Sequence, residues 1–104
     1  MTNPELFDVI ELLVHLPEFE LVPGMQGAIV ECYDENHYEV EFSNKSGKTN
    51  ALCTLTPEQF VVVWRSQTNH WLPISEKVTA VVSHLPEERQ QQVLEFAHKL
   101  FKQP

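Results

Sequence analysis

Two carboxylates, Glu39 and Glu41, are the residues whose type and spacing come nearest to acid–base chemistry. They alternate with apolar side chains in Tyr38-Glu39-Val40-Glu41-Phe42, the period of two that is typical of a strand with one buried face. A general acid needs a carboxyl held in an apolar environment, whereas these two belong to the face opposite the buried one. We therefore interpret Glu39 and Glu41 as a solvated acidic surface that binds a partner.

The cysteines and histidines could supply metal or redox chemistry, but their spacing does not favour it. Cys32 and Cys53 stand singly in strand-like segments, without C-x-x-C spacing or paired histidines beside them. We expect both thiols to be reduced and buried. The histidines form no i, i+4 pair on one helix and no H-E-x-x-H motif; they are residues 15, 37, 70, 84 and 98. The sequence predicts no metal site and no cofactor.

Nucleophilic and phosphate-binding motifs are also missing from the sequence. No Ser, Cys or Lys lies in a nucleophile motif, and three glycines are too few for a loop that cradles a phosphate. The sequence therefore predicts a binding protein and not an enzyme.

Short strands must position the two carboxylates. Residues 28–33 are rich in β-branched and aromatic side chains, and Asp34-Glu35-Asn36-His37 has turn chemistry that suits a hairpin to the strand over residues 38–42. We expect the next elements to be a turn, a strand, one helical turn capped by Thr56 and a last strand, over residues 44–48, 51–55, 56–60 and 61–64.

The start of the chain fits either a helix or a strand. Helical spacing joins Leu6, Ile10, Leu13 and Val14, whereas one side of a strand would carry Phe7, Val9, Glu11 and Leu13. The long loop over residues 17–24 that follows favours the strand. A strand, a long loop, three hairpin-linked strands, a helical turn and a final strand are the elements of a small SH3-like β-barrel of about five strands.

A change of hydrophobic period separates a second region from the first. Residues 65–73 are polar apart from Trp71 and Leu72 and are interpreted as a linker, in which Trp71 either packs the hairpin on the barrel or anchors a partner. The fold class is therefore mainly β with a helical appendage: a barrel, a linker and an α-helical hairpin over residues 1–64, 65–73 and 74–104.

Two amphipathic helices form the predicted hairpin. Ser75 is expected to cap the first helix, which stops near His84, and Pro86 to begin the second. Val93, Ala97, Leu100 and Phe101 are expected to cover the face of the first helix that carries Val78, Val81, Val82 and Leu85. The apolar surface of the second helix is wider than one packed helix can cover. We therefore predict a partner-binding surface formed by Leu94, Phe96, Leu100 and Phe101.

The net charge of −8 on 104 residues is unevenly distributed. Residues 1–64 hold 11 acidic side chains and two lysines, a net charge of −9, whereas residues 65–104 have a net charge of +1. Nucleic-acid affinity arises largely from Lys and Arg that displace counterions, so this charge opposes DNA or RNA binding and favours a basic protein partner.

The expected compartment is the cytoplasm. The first five residues carry no positive charge ahead of an apolar run, so we expect no secretory signal. No apolar run reaches the roughly 18 residues of a membrane helix. We therefore expect no membrane association.

Several motifs of the first region resemble a known family. They are Phe7-Asp8-Val9-Ile10, Leu16-Pro17-Glu18, residues 23–31, residues 38–42 and residues 52–55. Together they resemble the bacterial domain of unknown function 4926 over about residues 5–64. The resemblance implies a barrel and an occasional toxin–antitoxin neighbourhood. That family has no established activity, so the resemblance supplies no catalytic residue.

The segment over residues 85–96 is similar to a second bacterial family, the domain of unknown function 2281, and the similarity extends over about residues 74–103. Its members look like antitoxin-type proteins or appendages to them, which implies a role in binding another protein.

Three functions follow as hypotheses. The first is an acidic antitoxin-like or adaptor protein that engages a basic protein. The second is a structural or assembly module that forms a homodimer through its C-terminal helices. The third is a nucleic-acid-binding SH3-like barrel, which the net charge of the first region disfavours.

Overall fold

An antiparallel sheet forms the first part of the chain and a pair of helices forms the second. The computed structural model describes residues 3–43, 46 and 48–102. The chain divides into two compact units: a sheet unit, Met1–Leu72, and a helical unit, Pro73–Pro104. The predicted class, mainly β with a helical appendage, is confirmed.

Six strands build the sheet unit. They are β1 (Val9–Leu12), β2 (Gln26–Asp34), β3 (His37–Ser43), β4 (Thr49–Leu55), β5 (Phe60–Arg65) and β6 (His70–Trp71). Their order across the sheet is β4-β3-β2-β1-β5-β6, and neighbouring strands are antiparallel. The predicted succession of a strand, a long loop, three hairpin-linked strands, a helical turn and another strand is confirmed.

The prediction of a closed, five-stranded barrel is wrong, because the sheet is open. Its edges are β4 and β6, and no ladder joins these two strands in the part of the chain that the structure describes. The sixth strand forms where Trp64 pairs with Trp71 and Arg65 with His70. Residues 65–73, interpreted as a linker, therefore contribute to the sheet. A strand of two residues is too short to show a period in the sequence.

The predicted strand near the start of the chain is confirmed, and the helical alternative is wrong. β1 lies in the middle of the sheet and pairs with both β2 and β5. Ile10 and Leu12 are buried, whereas Val9 and Glu11 on the opposite side are partly exposed. A central strand with one buried side satisfies its backbone groups on both edges.

The turn from β2 to β3 is where the sequence placed it. One carboxylate oxygen of Asp34 accepts a hydrogen bond from the Asn36 backbone N–H at 2.7 Å and lies 2.9 Å from His37 Nδ1. The bond from Asn36, followed by the contact with His37, lowers the pKa of Asp34. In the second predicted turn, over residues 44–48, positions 44, 45 and 47 lie outside the described residues.

The helical turn predicted before the last strand is confirmed as a 3₁₀ turn, Pro57–Gln59, with Thr56 as its N-cap. The Gln59 side chain accepts a hydrogen bond from the Thr56 backbone N–H at 2.9 Å, and the Gln59 backbone N–H donates to Thr56 O at 3.0 Å. These reciprocal bonds direct the chain into β5.

Apolar side chains on one face of the sheet form the core. Those with almost no exposed surface are Ile10, Leu12, Ile29, Val40, Phe42 and Leu55, and the buried Leu21 from the loop after β1 packs with them. The rings of Tyr38 and Phe60 meet edge to face with their centroids 5.9 Å apart. This core lies within the sheet unit.

The first helix, α1 (Ile74–Ser83), begins two residues earlier than a cap at Ser75 would allow. Pro73 occupies the N-cap position and Ser75 lies inside the helix, so the assignment of Ser75 as cap is wrong. Pro73 O accepts the N–H groups of residues 76 and 77 in place of a side-chain cap. The predicted end is confirmed, with His84 as the C-cap.

The second helix, α2 (Glu87–Lys102), follows Pro86 directly. Its first turn carries Glu87 and Glu88 and its last turn carries Lys99 and Lys102, as predicted, so the charges complement the helix dipole. Gln90 Nε2 donates to the Val82 carbonyl across the bend at 3.0 Å. In the described part of the chain, neither helix combines the length and the apolar character that crossing a membrane requires.

Candidate functional site

The first candidate surface, which we call the acidic face, consists of Glu39 and Glu41 on β3. Both side chains are half-buried and lie on the side of β3 opposite the buried Val40. Across the sheet, Glu41 lies opposite Leu52 of β4, and Glu39 lies opposite Thr54. The structure therefore places the two predicted carboxylates on one face, beside the edge strand β4.

Two hydroxyl groups fix the carboxylate of Glu39. Thr54 Oγ1 donates to Glu39 Oε1 at 2.9 Å, and Tyr33 OH donates to Glu39 Oε2 at 3.3 Å. Desolvation, and after it the nearby Glu39 carboxylate, raises the pKa of Tyr33. The phenol therefore stays protonated and remains a donor to Glu39. Sequence analysis identified the carboxylate but missed both donors, since each lies on a neighbouring strand.

Glu39 and Glu41 can attract positive charge, since both carboxylates lie on one face of β3. Among the described residues, no group of three or more His, Cys, Asp or Glu side chains is arranged to hold a metal ion.

The two cysteines have different environments. Cys53 is buried, as expected, but Cys32 is exposed, so the prediction that both are buried is wrong for Cys32. Cys32 lies opposite Tyr38 of β3, but it belongs to the stretch of four exposed residues that ends β2. Desolvation, followed by the nearby carboxylate of Glu31, raises the pKa of Cys32; desolvation also raises the pKa of Cys53, so both thiols stay protonated.

Trp71 lies on the edge strand β6 and not in a linker. Its side chain is 57% exposed, and its ring lies 6.3 Å from that of Trp64, measured between centroids, at an interplanar angle of 54°. The strand pairing of Trp64 with Trp71 holds the two rings together. Trp71 therefore presents a fixed aromatic surface at one edge of the sheet unit.

The second candidate surface, the apolar helix surface, lies on α2. Gln90, Val93 and Ala97 form a half-buried stripe, and exposed apolar side chains flank it on both sides. With 100° per residue, Phe96 and Leu100 lie on one flank and Leu94 and Phe101 on the other. The structure thus leaves the four predicted helix residues exposed, two on each flank of the stripe.

The expectation that Leu100 and Phe101 pack on the first helix is wrong. Leu100 is 56% exposed and Phe101 is 92% exposed. The reason is length: α1 has 10 residues and α2 has 16, so α2 is about 9 Å longer. The end of α2 therefore has no matching length of α1 to cover it.

A buried polar cluster around Asp8 was missed by sequence analysis. Asp8 is 1% exposed, and its carboxylate accepts bonds from Ser66 N at 2.8 Å, Ser66 Oγ at 3.0 Å and Glu5 N at 3.0 Å. Arg65 Nη1 lies 3.4 Å from the same carboxylate. Two of these partners are more than fifty residues away in the chain, so no local motif indicates them. The cluster ties the start of the chain to the end of β5.

This cluster leads to a prediction about which fragment folds alone. A chain ending at Leu72 keeps Ser66 and β6 and is expected to melt cooperatively without the helices, because the core of the sheet unit is complete. A chain ending at Trp64 lacks both Arg65 and Ser66 and should melt at a lower temperature. Far-UV circular dichroism of the two fragments tests this, and equal melting temperatures would contradict it.

Phe7 has an unusual backbone for an aromatic residue. Its φ of 71° lies in the left-handed region, and its side chain is 63% exposed. The Phe7 N–H donates to Ile29 O at 2.8 Å, which anchors this conformation to β2. The sequence contains no residue, such as glycine, that would have indicated it.

Comparison with known proteins identifies one similarity. A family model described as Domain of unknown function (DUF4926) matches residues 6–62, which lie within the sheet unit. No curated protein and no solved structure matches the chain.

Proposed function

We propose that this chain, which belongs to the family described as Domain of unknown function (DUF4926), is a non-catalytic acidic module that binds a basic protein in the manner of an antitoxin or adaptor. The observation that carries the proposal is the acidic face, where the Glu39 and Glu41 carboxylates lie on one side of β3. The net charge of −9 over residues 1–64 supports it, because this charge steers a basic partner toward the sheet.

The helical unit is proposed to add apolar contact to this charge attraction. The apolar helix surface resembles the exposed patches that proteins use for association. We also propose that residues 85–96 are related to the domain of unknown function 2281, a resemblance that would imply the same role. Trp71 is proposed as a further contact, because tryptophan is enriched among residues that dominate binding energy.

A homodimer through α2 is the second candidate, and the exposed Leu94, Phe96, Leu100 and Phe101 favour it. We expect Phe96→Asp or Leu100→Asp to weaken association, since each large side chain that stays exposed forgoes about 1.5–3 kcal/mol of burial. Light scattering of the variants, alone and with a basic partner, measures this. The matched control is Val78→Asp on α1, where the side chain is 50% exposed. An unchanged mass and affinity in both α2 variants would exclude the helix as the contact.

The test of the proposed function uses a fluorescent peptide rich in lysine and arginine and the full chain. We expect binding that weakens with added salt. The double variant Glu39→Gln/Glu41→Gln should weaken it about fivefold, which corresponds to two exposed ion pairs of about 0.5 kcal/mol each. Fluorescence anisotropy provides the measurement.

The control for this experiment removes two negative charges that lie outside the acidic face. Glu76→Gln/Glu95→Gln changes the net charge by the same amount at exposed sites on α1 and α2. An equal loss in both double variants would assign the binding to net charge alone. Tighter binding to a DNA duplex or single-stranded RNA than to the peptide would overturn the proposal in favour of a nucleic-acid function.

A further inference from the structure

Strand β4 has a free edge along its whole described length. β4 pairs with β3 on one side and ends the sheet on the other. In the described part of the chain, no segment other than β3 exchanges backbone hydrogen bonds with it. Half of its backbone N–H and C=O groups therefore point away from the sheet, since they alternate in direction along a strand.

Nothing in the composition of β4 protects this edge. Soluble proteins usually blunt an edge strand with lysine, proline or a bulge, or keep it very short. The seven residues Thr49–Leu55 contain no charged side chain and no proline, and the one shift of register against β3 lies at the start of the strand, so the pairing from Ala51 to Leu55 is regular. The other edge strand, β6, has only two residues. β4 is thus the long edge on which another strand can form hydrogen bonds.

The neighbouring side chains determine what kind of strand fits. Leu52 is 49% exposed and Thr54 is exposed, and they lie opposite Glu41 and Glu39 on the same face. A strand added beside β4 would lie about 10 Å from β3, two strand spacings away. Lysine or arginine on that face can lay its aliphatic stem over Leu52 and extend its charge toward the carboxylates.

A second copy of this chain fits the edge less well. Pairing of β4 with its counterpart in a symmetric dimer would bring two more carboxylates, the partner copy's acidic face, onto the same surface. A basic strand instead brings charge of the opposite sign, so charge complementarity selects it over self-association.

We propose that β4 accepts an extended segment of a basic protein as a seventh strand, in which lysine or arginine alternates with small apolar residues. Main-chain hydrogen bonds supply affinity, and the alternating basic side chains over Leu52, facing Glu39 and Glu41, supply specificity. The inference rests on the proposed function and specifies the form of the partner and the place where it binds.

The test uses the full chain and two peptides of identical composition, each with an acetylated N-terminus and an amidated C-terminus. One alternates lysine with valine, and the other groups the same residues into a lysine block and a valine block. We expect the alternating peptide to bind at least about fivefold more tightly, because only its lysines all face the carboxylates when it is extended. Hydrogen exchange of backbone amides, followed by NMR, should slow at alternate residues of β4 when this peptide is present.

Leu52→Lys provides the variant for this test. It should weaken binding of the alternating peptide about tenfold, through like-charge repulsion at the edge. Val78→Lys is the matched control, since Val78 on α1 is 50% exposed and the change in charge is the same. Circular dichroism shows whether both variants are folded, and the exchange measurement on the unaltered chain does not depend on either of them.

The outcomes separate this inference from the proposed function. Equal binding of both peptides without slowed exchange in β4 would leave the acidic module intact and overturn the added strand. Binding of neither peptide would overturn both. A dimeric mass in light scattering, with β4 amides already protected in the absence of peptide, would show that a second copy occupies the edge and would overturn the basic segment.

Discussion

Asp8→Ala is expected to lower the free energy of unfolding of the sheet unit by about 3–5 kcal/mol. The substitution leaves the backbone N–H groups of Ser66 and Glu5 without their acceptor and Arg65 without its nearby carboxylate. A unit of 72 residues has a total stability of about 4–11 kcal/mol. The variant should therefore be largely unfolded in mild denaturant.

Urea unfolding followed by tryptophan fluorescence measures this effect. Both tryptophans of the chain, Trp64 and Trp71, lie on strands of the sheet unit, so their emission reports on that unit. Asp34→Ala is the matched control, because Asp34 is the other aspartate of the chain and is exposed, and it should cost about 1 kcal/mol or less. Asp8→Asn, which keeps one acceptor oxygen, should fall between the two. Equal urea midpoints for the two alanine variants would contradict a stabilising role for the Asp8 cluster.

Local features of the fold could be predicted from the sequence, because their causes lie within a few residues. The period of two in residues 38–42 identified β3, and the acceptor oxygens of Asp34 account for the turn before it. Thr56 and Gln59 close the 3₁₀ turn through bonds across three residues. Glu87 and Lys102 mark the ends of α2 through their charges.

Features that depend on distant partners could not be predicted in this way. The acceptor role of Asp8 depends on Ser66, which comes near only when β5 lies against β1. Cys32 is exposed because the last four residues of β2 lie beyond the buried part of the strand, which the sequence pattern does not reveal. Whether the sheet closes depends on how its two edge strands are placed, which the order of elements does not determine.

The same distinction between local causes and distant partners applies to the candidate site. Alternation with apolar residues was enough to place Glu39 and Glu41 on one face, whereas helical spacing assigned Leu100 and Phe101 to the packed stripe and missed their exposure. The edge position of β4 was not foreseen, because the sequence suggested a barrel in which each strand has two neighbours. The availability of that edge follows from the strand order alone.

Gly27→Ala is expected to lower the free energy of unfolding by about 1–3 kcal/mol, because the added methyl group has no room. A Cβ at this position would lie 2.7 Å from Val40 Cγ1, 2.9 Å from Phe42 Cε1 and 3.0 Å from the Glu41 carbonyl oxygen. Val40 and Phe42 are fully buried in the core, and the third neighbouring atom belongs to the backbone. None of the three can therefore move freely to make room for the methyl group.

The source of this cost can be isolated with a double-mutant cycle in urea. Val40→Ala alone creates a cavity and destabilises the core, but combined with Gly27→Ala it makes room for the new methyl group. The double variant should therefore be more stable than the sum of the two single effects implies, by about 0.5–3 kcal/mol. Gly24→Ala separates crowding from backbone conformation, since Gly24 has a φ of +96° and nothing within 4 Å of its added Cβ. Additive effects of Gly27→Ala and Val40→Ala would mean that the close approach of β2 to β3 is not what requires glycine at this position.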